Sequence, residues 1–172
     1  MATPARPLLR VLGIDPGTAT TGFGVIEGQA GAGGELRLLD FGTIRTTPAE
    51  PMPDRLVDLY DSLRELLALH RPQAMAVEEL FFSSNVTTAI TVGQARGVIL
   101  LAGAQAGVPI AEYKPMQVKL AITGYGGADK RQVQEMLRLT LRLTEIPRPD
   151  DAADAIAIAL CHLQTARMVH SA

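Results

Sequence analysis

Four acidic residues from three distant parts of the chain stand at the ends of apolar segments, where carboxylates could converge on a metal. Asp15 follows the run Leu8 to Ile14 and precedes Pro16-Gly17. Glu78, with Glu79 after it, ends the wholly apolar Ala74 to Val77. Asp151 and Asp154 lie three apart at the start of an Ala/Ile-rich stretch, so on a helix both side chains leave one face. Oxygen donors without a His or Cys cluster select hard cations, Mg²⁺ or Mn²⁺ rather than Zn²⁺. Carboxylates able to hold two such ions about 3.5–4 Å apart suit phosphodiester hydrolysis. One ion lowers the pKa of the attacking water and the other stabilises the leaving 3′ oxygen.

Each acid also has a plainer reading. Asp is a common turn residue with no chemistry, which covers Asp15. Acids in a first helical turn satisfy free N–H groups and the helix dipole, worth about 0.3–1 kcal/mol each. Asp150 is expected to be such a cap. Asp154 is harder to explain that way, because Ala152, Ala153, Ala155 and Ile156 around it predict a buried face. A carboxylate there needs a cationic partner, and its neighbours in sequence supply no Lys or Arg. A divalent cation would serve. Adjacent strand residues face opposite ways, so only one of Glu78 and Glu79 can point where Asp15 points. Of His70, His162 and His170, only His162 shares a predicted helix with the acids.

The elements that must position these residues follow from periodicity. Leu8 to Ile14 and Phe23 to Glu27 read as a hairpin around Pro16-Gly17, and Gly28 to Gly34 as a Gly/Ala loop. Glu35 to Thr43 alternates as a third strand. From Asp54 the period changes, with Leu56, Leu59, Leu63, Leu66 and Leu67 on one helical face, ending at His70-Arg-Pro72. A buried strand at 74–77 precedes a small-residue-rich helix from about Thr87 to Ala106, and Gly107 to Glu112 is a last short strand. Helices are predicted at 115–122, 129–143 and about 150–169. The order βββ-α-β-α-β-α-α-α predicts an α/β domain, a five-stranded mixed sheet with helices on both faces.

At 172 residues, 47% of them hydrophobic and 20% charged, the chain reads as one globular domain. Residues 1–7 are expected to be a frayed leader and 170–172 a tail. The single cysteine, Cys161, excludes an intrachain disulfide, fits a reducing compartment such as the cytoplasm, and is expected to be a buried small hydrophobe. Pro, Gly or charge interrupts every apolar run short of the roughly 18 residues of a membrane span. A net charge of -2 argues against a non-specific nucleic-acid binder, although acids reserved for metal can coexist with a basic face.

Five blocks in order carry a resemblance. Gly13-Ile-Asp-Pro-Gly17 with Thr21-Gly-Phe-Gly24, Ala76-Val-Glu-Glu-Leu-Phe81, Gly93-Gln-Ala-Arg-Gly97, Gln117-Val-Lys119 and Asp151-Ala-Ala-Asp-Ala-Ile-Ala-Ile158 closely resemble the RuvC family, from about Leu9 to His162. These are the bacterial crossover junction endodeoxyribonucleases, which resolve Holliday junctions. The resemblance implies a ribonuclease-H-like fold, a homodimer, and four acids holding two Mg²⁺ or Mn²⁺ ions, here Asp15, Glu78, Asp151 and Asp154. It thereby selects Glu78 over Glu79. It also implies that Phe81 stacks on junction bases, that Lys119 and Lys130 contact DNA near the scissile phosphate, and that the RuvA–RuvB branch-migration complex is a partner. Phe82-Ser83 and a long Gly28 to Gly34 loop depart from the family pattern away from the chemistry.

Physics adds to this. One of Phe81 and Phe82 is expected in the core and the other exposed, where it can unstack bases, worth about 1–3 kcal/mol per base. Arg96 is a further candidate DNA contact. The Thr87–Ala106 helix is a candidate dimer contact, and a C₂ dimer matches the approximate twofold of a four-way junction. Two other functions compete with junction cleavage. One is a related nuclease acting on RNA precursors, and the other a binding module whose acids are only caps. An ATP-using sugar-kinase relative would need a longer, two-lobed chain.

Overall fold

A computed structural model describes residues 7–30, 34–80 and 85–166. In chain order it contains β1 (Leu8–Asp15), β2 (Thr20–Gln29), β3 (Leu36–Arg45), α1 (Met52–His70), β4 (Ala74–Glu78), α2 (Val86–Gln105), β5 (Ile110–Tyr113), α3 (Pro115–Thr123), α4 (Lys130–Thr140) and α5 (Asp150–Thr165). This is the predicted order. The sheet runs β3-β2-β1-β4-β5, antiparallel from β3 to β1 and parallel from β1 to β5.

Strand alternation divides the core into two layers. Val11, Ala74 and Ala76 face a cluster with Val118, Ile122, Leu137 and the apolar face of α5. Leu12, Ile14, Met75 and Val77 face the opposite way, onto Leu59, Leu63 and Leu67 of α1 and Ala95 and Ile99 of α2. Fully burying each such aliphatic side chain contributes about 1.5–3 kcal/mol. The same alternation decides where the strand ends aim. Asp15 lies in phase with Val11, and Glu78 with Ala74 and Ala76, so both leave on the α5 side.

Glycines let α5 come down onto the sheet. A methyl on Gly13 would lie 2.1 Å from the Ala155 carbonyl oxygen, and one on Gly22 1.9 Å from that of Asp151. Backbone meets backbone here, which only glycine permits. The consequence is functional, because the helix start carrying Asp151 and Asp154 is thereby seated at the end of β1.

Some features differ from expectation. β2 is longer than Phe23 to Glu27, because its ladder with β1 runs from Gln29 to Gly22 through glycines that carry no side-chain alternation. β5 starts at Ile110, since Gly107, at φ +69°, ends α2 while Val108 N–H donates to the Gly103 carbonyl. And α2 is a 20-residue helix containing an 18-residue window of mean hydropathy 1.3, long and apolar enough by length and composition to cross a membrane. Its glycines and Arg96 do not interrupt it, contrary to the expected absence of any such run. One face of it packs on the sheet through Ala95, Ile99 and Ala102. Residues 1–6 of the expected leader, the tail, His170, and Phe81 and Phe82 all lie outside the described residues.

Candidate active site

Asp15 ends β1 where Ile14 pairs with Val77 of the neighbouring strand, so Asp15 and Glu78 come next on adjacent strands. The turn after Asp15 is tied down by Thr21, whose buried hydroxyl donates to the Gly17 carbonyl at 2.8 Å. From the other side, the first two turns of α5 bring in Asp151 and Asp154. One carboxylate oxygen from each of Asp15, Asp151 and Asp154 lies within 4.8 Å of the others. Glu78 completes the group beside Asp15, close enough for each carboxyl group to shift the other. The structure thus brings all four predicted acids together.

Such crowding is unfavourable without a cation. Burial, and then repulsion from Glu78, Asp154 and Asp151, push the Asp15 carboxyl from its ordinary 3.8 up to about 8. Burial likewise raises Glu78, with Asp154 adding to the rise and Asp15, Lys119 and Lys130 opposing it. Asp154 is raised by burial although Lys130 opposes this. A divalent cation would relieve all three at once, and the all-oxygen donor set suits a hard one. The residues present therefore fit a metal centre.

Lys130 is the first residue of α4, held there by its N-cap: Asp129 accepts from the Gln132 N–H at 2.8 Å and the Gln132 side chain bonds back. Its ammonium lies 3.1 Å from Asp154 and 3.7 Å from Asp150. Asp154 therefore does have a cationic partner, from 24 residues earlier, where local sequence offered none. Together with Lys119 of α3 it lines a cavity of about 260 Å³ that also takes in Glu78 and Asp154. Both lysines are thus beside the acids.

Other expectations change. Asp150 does not cap α5 with its side chain: it accepts from Gln134 at 3.1 Å and pairs with Arg148 and Lys130. Arg96 does not stand free toward DNA. It pairs with Glu112 at 2.7 Å and donates to the Glu78 carbonyl at 3.4 Å. His162 lies eight residues beyond Asp154, about 12 Å along the helix, and bonds the Tyr113 hydroxyl at 2.8 Å. Cys161, by contrast, is buried as expected, its thiol pushed up to about 12 by desolvation. Gly13, Gly22 and Thr21 were not singled out for the site from sequence. Their signal was the glycine spacing of the opening block.

Comparison with known proteins agrees with this geometry. The RuvC family model, described as crossover junction endodeoxyribonuclease RuvC, matches residues 11–162. The crossover junction endodeoxyribonuclease RuvC of Chloroflexus aurantiacus is 62% identical over 158 residues, covering 92% of this chain and 94% of that one. That of Rubrobacter xylanophilus is 60% identical, covering 92% and 87%. The Thermus thermophilus RuvC structure superposes with a TM-score of 0.86 at 44% identity, over 93% of this chain and 96% of that one. The same protein in complex with Holliday junction substrate superposes at 0.87 and 45%, with the same coverage. The fold is therefore ribonuclease-H-like, and the chain belongs to the RuvC family of crossover junction endodeoxyribonucleases.

Proposed function

We propose that this chain resolves four-way DNA junctions by paired, symmetric, metal-dependent nicks in recombination and repair. The observation that carries the reading is the convergence of Asp15, Asp151 and Asp154 to within 4.8 Å, with Glu78 beside Asp15 on the adjacent strand. Asp15, Glu78, Asp151 and Asp154 would hold two Mg²⁺ or Mn²⁺ ions. Bound there, such ions supply activation of a water and stabilisation of the leaving 3′ oxygen. Lys130, beside Asp154, and Lys119 across the cavity would contact DNA near the scissile phosphate. Phe81, three residues past Glu78, would stack on an unpaired base.

Two cuts on opposed strands call for two sites related by a twofold axis, hence a homodimer. α2 supports this with a continuous outward face of Val86, Ile90, Gly97 and Leu101, all exposed. The relative solved with a Holliday junction substrate supports the choice of DNA. The RuvA–RuvB complex and a cytoplasmic setting complete the proposal.

The test is cleavage of a synthetic mobile four-way junction with Mg²⁺ or Mn²⁺, mapping nicks on all strands. Asp15→Asn and Glu78→Gln are each expected to abolish cleavage while junction binding survives. Binding lost in parallel would refute the metal role, and preferential cutting of structured RNA would favour the RNA-precursor reading.

A further inference from the structure

Arg96 lies at the middle of α2, and its side chain turns inward, 19% exposed, beneath the end of β4. Its guanidinium reaches two groups from two strands. One NH₂ sits 2.7 Å from the Glu112 carboxylate of β5, and the Nε–H donates to the Glu78 main-chain carbonyl at 3.4 Å. That carbonyl belongs to the peptide immediately following the acid's Cα. The β1–β4 ladder has its last pair at Ile14 and Val77, and Pro16 beyond Asp15 has no N–H to offer. On the other side the ladder continues one step, with Glu79 N–H donating to Tyr113 at 2.8 Å. The end of β4 is therefore held between β5 and the α2 guanidinium.

We propose that Arg96 is a positioning residue that fixes the strand end carrying Glu78, and so the metal affinity of the acid cluster. The inference rests on the metal-site reading above. An arginine can do this because its planar fork presents donors in two directions at once, whereas a lysine ammonium reaches one partner or the other. Contact with a DNA phosphate would require Arg96 to leave both Glu112 and the Glu78 carbonyl, giving up a half-exposed ion pair and a hydrogen bond together. Partners that orient a metal-binding side chain typically change metal affinity or activity by about 10–100-fold when removed.

The experiment follows Mn²⁺ uptake by the DNA-free protein, reading free Mn²⁺ by electron paramagnetic resonance, in wild type, Arg96→Lys, Arg96→Met and Glu112→Gln. Junction binding is measured alongside in chelator, as a function of salt. Arg96→Met is expected to raise the Mn²⁺ concentration for half-saturation about tenfold or more. Arg96→Lys and Glu112→Gln should raise it by less, and the salt dependence of junction binding should not move. Unchanged Mn²⁺ uptake in all three variants overturns the proposal. So does a salt slope lowered by about one in Arg96→Met, which marks a lost phosphate contact. If Arg96→Met does not fold, the two milder variants decide between these outcomes. A wild type that takes up no Mn²⁺ overturns the metal reading itself, whereas normal wild-type uptake with unaffected variants overturns only the role of Arg96.

Discussion

At the residue scale, Asp15 ties stability to pH in a definite direction. With its carboxyl raised from 3.8 to about 8, the metal-free folded chain keeps a proton that the unfolded chain has lost throughout that window. The native state binds more protons there, so stability falls as pH rises from about 4 to 8. Burial raises Glu78 and Asp154 in the same sense. In chelator, the unfolding temperature is expected to drop between pH 5 and pH 8, and Mn²⁺ to restore it. Asp15→Asn should flatten that slope and stabilise the metal-free protein at pH 8 by about 1 kcal/mol, roughly 2–4 °C for a chain of this size. Calorimetry at three pH values checks this, and an unflattened slope in the variant would contradict the assignment.

At the scale of elements, the site depends on how closely α5 approaches β1 and β2. A methyl on Gly22 would meet the Asp151 carbonyl at 1.9 Å, and neither strand nor helix backbone can yield without displacing the other. Gly22→Ala is expected to cost about 1–3 kcal/mol of stability, the usual range for overpacking. It should also weaken Mn²⁺ binding, because the displaced turn carries Asp151. Gly97 offers the contrast, since a methyl there meets nothing within 4 Å. Gly97→Ala should leave a lone chain as stable or gain up to about 1 kcal/mol from helix propensity. Denaturant titrations of the two variants, with Mn²⁺ uptake for Gly22→Ala, separate packing into the site from packing away from it.

At the scale of the whole molecule, α2 lies between the acids and the face proposed to meet a second copy. Its inner face holds Arg96 and the buried Ala95 and Ile99, while Val86, Ile90 and Leu101 face outward at 70%, 58% and 51% exposure. If that outer face joins two protomers, Ile90→Glu with Leu101→Glu should yield a monomer by sedimentation, still folded, that nicks a junction singly instead of in pairs. A dimer that persists would place the interface elsewhere. Junction binding should also be steeply salt-dependent despite the net charge of -2, because Lys119 and Lys130 release counterions at one edge of the protein. A flat salt titration would count against both lysines.

Element order, sheet class and the positions of candidate acids were legible in the sequence, because side-chain periodicity and strand-end position are local properties of the chain. So was the burial of Cys161. Other features depended on contacts between segments far apart in sequence. The side chains alone left Glu78 and Glu79 open; the family resemblance favoured Glu78, and the phase of β4 relative to β1 gives the physical reason. The partner of Asp154 came from Lys130 on another helix, and Arg96 was taken up by Glu112 and the Glu78 carbonyl. The descent of α5 onto Gly13 and Gly22 was likewise invisible in either segment alone. Composition and spacing determine which groups can do chemistry here. Only tertiary packing decides which of them share a site, because charge pairing and close approach act through space between residues that sequence keeps apart.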